Sequence, residues 1–212
     1  APLIADIWYR SQDRYDDAFR KYSKRFFGPA FDWQYFKAQG LAESGLDPQA
    51  RSPVGARGIM QLMPGTYALI KKARSEQFGA IEDPEWNIAA GILFDRDLWN
   101  AWKPHTEEEE RFRFMFGSYN AGEGTIRRAR TVARAKQLDD RTWKSIEAVA
   151  PSVQRWRYRE TLPYVRKIEN NHKTLRAERG TRASGRTCGG SNSTPSRAYC
   201  RASMSHQAPA DT

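Results

Sequence analysis

A chain of 212 residues with 39% hydrophobic content suits one globular domain with an ordinary core and leaves little for a second. Its formal charge of +10 attracts polyanions, whether nucleic acid, acidic lipid or an anionic cell-wall polymer, without choosing among them. No apolar stretch approaches the roughly 18 residues of a membrane-crossing helix, and the start at Ala1 lacks a basic segment leading into an apolar one, so the chain reads as soluble, although a trimmed export signal would leave no trace.

In chain order the signals are helical, with almost no strand alternation. Ile4, Ile7, Trp8, Tyr15, Phe19 and Tyr22 recur at helical spacing, and Asp32 is placed to cap a second helix carrying Trp33, Phe36 and Leu41. Thr66 is expected to start a helix with Leu69 and Ile70, and Asp83-Pro84 to open one into Ile88, Ile92 and Leu93. Thr106 with Glu109 has the spacing of a capping box; its helix would bury Phe112, Met115, Phe116 and Tyr119 and stop at Gly122. A basic amphipathic stretch runs from Thr125 to about Leu138, a shorter segment spans Trp143 to Val149, and a last helix is expected to open near Pro163 with Tyr164, Val165, Ile168 and Leu175. The fold class is therefore all-α. From Arg179 onward Ser, Thr, Gly, Arg and Ala replace the large aliphatics, so residues 179–212 read as a flexible polar tail.

Glu43 ends the second helical segment and is followed at once by Ser44-Gly45. A carboxylate on the last turn faces the negative end of the helix dipole. Desolvation by aromatic neighbours such as Trp33 or Phe36 would raise its pKa further, giving a protonated carboxyl near neutral pH, as a general acid requires. Pro48, Pro53, Gly55 and Gly58 restrict the loop that follows, and folding it back would bring Ser52, Gln61 and Met63 toward Glu43.

The order Glu43-Ser44, Pro48-x-Ala50-x-Ser52-x-x-Gly55-Ala56-x-Gly58-Ile59-Met60-Gln61-Leu62-Met63-Pro64-x-Thr66 resembles the first motif of the soluble lytic transglycosylase family, relatives of goose-type lysozyme. Ser118-Tyr119-Asn120-Ala121-Gly122-Glu123-Gly124 is similar to its second motif, Glu160-Thr161-Leu162-Pro163-Tyr164-Val165 to its third, and Asn87 with Gly91 to a weaker signature between them. Ile59, Ser118 and Glu123 depart from the usual leucine, alanine and proline, and none of these changes removes a group that does chemistry.

The resemblance covers roughly residues 30–170 and implies a lysozyme-like helical domain with a substrate cleft over 31–178, with 1–30 as a helical segment packed on it. Glu43 would be the sole acid/base, cleaving the β-1,4 bond between N-acetylmuramic acid and N-acetylglucosamine in peptidoglycan and leaving a 1,6-anhydro end. Ser52, Gln61, Met63, Tyr119 and Asn120 would touch substrate, and the Tyr164 hydroxyl would point at the catalytic carboxyl. Goose-type lysozymes, which add water, carry an aspartate where this chain has Met63, and Asp47, before Pro48, reads as capping its own turn. Transglycosylation is therefore favoured over hydrolysis by a muramidase and over a non-catalytic wall-binding module.

The same resemblance implies no metal and no cofactor, peptidoglycan strands as partner, a monomer, and a periplasmic or envelope location. A nucleic-acid reading has only the charge and Arg127-Arg128-x-Arg130 behind it, with no DNA-reading motif. Cys188 and Cys200 could form one local disulfide, and with His206 they fit no zinc spacing.

Overall fold

The computed structural model describes residues 13–73 and 78–185; the expectations for Ile4, Ile7, Trp8, Cys188, Cys200, His206 and the rest of the 186–212 segment lie outside them. Within the described residues the chain is helical, with only isolated bridges at Arg51, Arg57 and Leu62. No described helix is long and apolar enough to cross a membrane.

Helix α1 spans Asp16–Phe27 and buries Phe19 and Tyr22, with Asp16 and Asp17 in its first turn and Lys24 and Arg25 in its last complementing the dipole. Helix α2, Gln34–Glu43, is almost wholly internal. Its start is capped as expected, Asp32 Oδ1 accepting from the Gln34 N–H at 3.1 Å. Helix α3, Pro64–Ala73, opens at Pro64 rather than Thr66, because proline's missing N–H is harmless in a first turn. Helix α4, Pro84–Trp102, has the expected cap: Asp83 accepts from the N–H groups of Glu85 and Trp86 at 2.9 and 3.2 Å.

Helix α5 runs Glu108–Ala121 without the expected capping box. Thr106 is buried, and its hydroxyl donates to the Trp102 carbonyl at 3.3 Å, so it closes α4 rather than opening α5. Glu108, Glu109 and Glu110 meet the α5 dipole instead. Gly122, at φ +83°, stops α5 as expected, and α6, Glu123–Ala135, begins at once. Helix α7, Trp143–Val149, is capped by Thr142. Helix α8 spans Tyr158–Gly185, opens well before Pro163, and continues past the composition change at Arg179. Pro163 lies inside it and removes one rung of its hydrogen-bond ladder.

Phe19, Phe36, Ile59, Ile88, Phe114 and Val165, from five helices and the loop before α3, are fully buried in one core. The antiparallel α2–α8 seam positions the site. Gln34 Nε2 donates to the Leu175 carbonyl at 3.1 Å, Asn171 Nδ2 to Ala38 at 3.1 Å and Lys167 Nζ to Ala42 at 2.9 Å. Each step up α2 is a step down α8, and the series ends at Glu43 and Tyr164.

Candidate active site

Helix α2 ends sharply behind Glu43. Gly45 and Leu46 both adopt left-handed backbone, φ +68° and +67°, and the Leu46 N–H returns to the Gly40 carbonyl at 3.4 Å. The conformation costs a non-glycine residue roughly 1–2 kcal/mol; burial of the Leu46 side chain against Gly40 offsets it, where a Cβ would fall 2.9 Å from Leu46 Cδ2. The chain thus leaves the helix immediately after the carboxyl-bearing residue.

The loop that follows folds back and is held from three sides. Ser44 Oγ donates to the Ile59 carbonyl at 2.9 Å, the Tyr119 hydroxyl donates to the Met60 carbonyl at 2.8 Å, and Asn87 Oδ1 accepts from the Met60 N–H at 2.8 Å. Asn87 Nδ2 also donates to the carbonyls of Arg57 and Ile81, both at 3.0 Å, so this fully buried amide is completely satisfied. One turn along α4, Gly91 makes room for the loop: a Cβ there would lie 2.7 Å from Met60 Cγ. The Asn87-x-x-x-Gly91 pattern is therefore a socket for Met60.

At the centre, Tyr164 donates its hydroxyl to Glu43 Oε1 at 2.6 Å across 121 residues of sequence. Burial pushes the Glu43 carboxyl up to about 7, against the Tyr164 hydrogen bond and the Lys167 charge, which favour the ionised form; nearby Glu160 adds a smaller upward push. The Glu43 charge acts on two aromatic neighbours, Tyr119 and Tyr164, whose phenols are raised by burial and by that charge. Phe36 packs against Phe27 and Phe31, and Trp33 lies under the Arg20 guanidinium.

The remaining candidates have different local settings. Ser52 Oγ accepts from the Ala56 N–H at 3.0 Å and shapes the loop tip. Gln61, at φ +44°, spends its amide N–H groups on the Ala50 and Gly58 carbonyls at 3.2 and 2.9 Å. Met63 is exposed at the loop's end, and Asn120 is half-buried beside Tyr119 on α5. Asp47 is exposed and accepts from the Gln49 N–H at 2.8 Å, the self-capping turn expected for it.

The transglycosylase SLT domain model matches residues 21–143. The chain belongs to the transglycosylase SLT domain family. It is 31% identical over 153 residues to membrane-bound lytic murein transglycosylase F of Shewanella loihica, covering 70% of this chain and 30% of that protein. The namesake from Vibrio cholerae is 31% identical over 145 residues, 68% of this chain and 25% of the relative. Among solved structures, the 70 kDa soluble lytic transglycosylase from Escherichia coli superposes with a TM-score of 0.60 at 26% identity, over 78% of this chain and 24% of that one. An inactive mutant of lytic transglycosylase Slt from Pseudomonas aeruginosa, at 20% identity and a TM-score of 0.61, shares the fold over 78% of this chain and 25% of its own. The lysozyme-like all-α class is thereby established, while the SLT chain spans less than a third of each relative.

Tyr164 lies beyond the matched residues and reaches Glu43 only because α8 returns along α2. Two site neighbours escaped sequence reasoning. Lys167 is signalled only by its spacing from Tyr164 on α8. Asp95 continues the Asn87, Gly91 stripe by one more turn, and a fully buried acid on that stripe was its available sign.

Proposed function

We propose that this SLT domain cleaves the β-1,4 bond between N-acetylmuramic acid and N-acetylglucosamine in peptidoglycan without water, leaving 1,6-anhydromuramic ends. The observation that carries this reading is the Glu43 carboxyl, held at 2.6 Å by the Tyr164 hydroxyl and raised to about 7 by burial, so that both protonation states are accessible near neutral pH. Protonated Glu43 gives its proton to the glycosidic oxygen as the bond breaks. The resulting carboxylate, stabilised by Tyr164 and Lys167, then takes the proton of the muramic 6-hydroxyl as that oxygen attacks the anomeric carbon. Glu43 returns to its starting state, and no second carboxylate is needed to activate water.

Ser52, Gln61, Met63, Tyr119 and Asn120 are proposed as substrate contacts lining the approach to Glu43. Gln61 would act through its side-chain carbonyl, since its amide hydrogens bind the loop. The basic surface suits an anionic wall polymer, and action on that polymer places the domain in the periplasm or cell envelope.

A hydrolytic muramidase on the same frame would need an acid poised to hold an attacking water. Asp47 is tied to its own turn, Glu160 is exposed beside Arg157 at 3.5 Å, and Asp95 is fully buried, which disfavours all three. The test is mass spectrometry of muropeptides released from purified peptidoglycan by the wild-type chain and by Glu43→Gln. Products lighter by one water, without a reducible end and absent from the variant, support the proposal. Reducing ends, or undiminished release by the variant, defeat it.

A further inference from the structure

Beneath Glu43 lies a second carboxyl that the mechanism above does not use. Asp95, on α4, is fully buried, and so is Gln39, one helical turn below Glu43 on the same face of α2. Gln39 Nε2 points at Asp95 Oδ1 at 3.4 Å, while Gln39 Oε1 and Asp95 Oδ2 are both buried without a hydrogen-bond partner. Two acceptor oxygens left over in one amide–carboxyl pair are explained by a proton on Asp95 Oδ2: the acid then donates to Gln39 Oε1 while accepting from Nε2, and both orphans are satisfied.

The surroundings agree. The groups that act electrostatically on Asp95 and its neighbours are Glu43 from α2, Tyr119 from α5 and Tyr164 from α8; the Lys167 ammonium beyond them acts on Glu43, as does Glu160. Among the described residues no cation pairs with Asp95, and an unpaired buried carboxylate is among the costliest groups a fold can hold. Burial and the Glu43 charge both push its proton affinity well above that of an ordinary aspartate.

We propose that Asp95 is a positioning residue for Glu43: a neutral carboxylic acid paired with the Gln39 amide, tying the last turns of α2 to α4 and leaving Glu43 as the one carboxyl beneath the cleft that takes up negative charge. The positioning role rests on the function proposed for Glu43. It gives that function a physical requirement, because Glu43 passes through a carboxylate state, and a second ionised acid below it would oppose that passage.

The test uses Asp95→Asn, Asp95→Leu and the wild-type chain. Asparagine reproduces the neutral pair, its Nδ2 donating to Gln39 Oε1, whereas leucine strands the buried amide. An acid whose folded pKa exceeds its unfolded value is penalised above the unfolded pKa, and the penalty grows as pH rises toward the folded one. The Tm advantage of Asp95→Asn over wild type should therefore widen between about pH 5 and pH 8, by roughly 3–5 °C per pH unit. In muropeptide release, Asp95→Leu should lower kcat at least ~10-fold with little change in KM, and Asp95→Asn should recover most of that loss.

A Tm gap that is flat, or that narrows with rising pH, overturns the neutral acid. Full kcat in Asp95→Leu overturns the positioning role. The stability comparison needs only the Asn variant, so it stands even if the Leu variant fails to fold. It also needs no activity, so failure of the Glu43 assignment, read from Glu43→Gln, is distinguishable from failure of this one.

Discussion

Removing the Tyr164 hydroxyl isolates the contact that most directly tunes Glu43. The hydroxyl donates at 2.6 Å and favours the carboxylate, so Tyr164→Phe should raise the Glu43 pKa above its value of about 7. A hydrogen bond to a charged group is worth about 1.5–3 kcal/mol, and each pKa unit corresponds to about 1.4 kcal/mol, so the shift is about 1–2 units upward. Because Glu43 must be protonated to attack the glycosidic bond, kcat/KM falls as pH rises through its pKa. The variant should therefore carry its alkaline limb to higher pH by that amount, while its plateau rate drops because the carboxylate formed in the first step has lost a stabilising donor. The assay is the initial rate of muropeptide release from purified peptidoglycan across pH, with thermal unfolding to confirm that the ring still packs. An alkaline limb that stays in place or moves to lower pH would refute the reasoning, since it would mean that Glu43 is not the titrating group or that Tyr164 does not hold its charged form.

Glu43→Gln should be more stable than wild type near pH 7, by on the order of 2–3 kcal/mol in urea unfolding; the folded pKa is raised, so the cost begins above about pH 4.5 and the gain should vanish below it. Lys37 is buried at 3% exposure between Asp13 at 3.1 Å and Asp16 at 2.6 Å, and Lys37→Met should cost about 1–3 kcal/mol in the same measurement by taking a charge-assisted partner from the mostly buried Asp16, which keeps Arg20 at 3.6 Å. Gly58→Ala should lower muropeptide release and open the loop to proteolysis, because Gly58 has φ +73° and a Cβ would lie 2.6 Å from Asn87 Nδ2; a loop cleaved no faster than wild type would show that this glycine does not hold it. Lys167→Met removes a cation that favours the Glu43 carboxylate, and should move the alkaline limb upward by less than Tyr164→Phe does.

Much of this molecule is written in local sequence. The Asp83 cap, the Gly122 stop and the aliphatic and aromatic spacing of α1, α2 and α4 are properties of neighbouring residues, because helix periodicity and capping act over only one or two turns. Local rules erred where a residue had a competing use or a helix ran past its expected start: Thr106 spends its hydroxyl on the Trp102 carbonyl one turn back, closing α4 instead of opening α5, and α8 opens well before Pro163. The motifs marked Glu43, Tyr119 and Tyr164 as candidates, but a motif states residue order and carries no dielectric. That Glu43 is desolvated, that Lys167 lies close enough to oppose the shift, and that Gln39 and Asp95 face each other with two oxygens to satisfy were decided by how α8 returns along α2 and how α4 and α5 pack beneath. Desolvation and charge coupling depend on distances through space between residues far apart in the chain, and those distances exist only in the folded molecule.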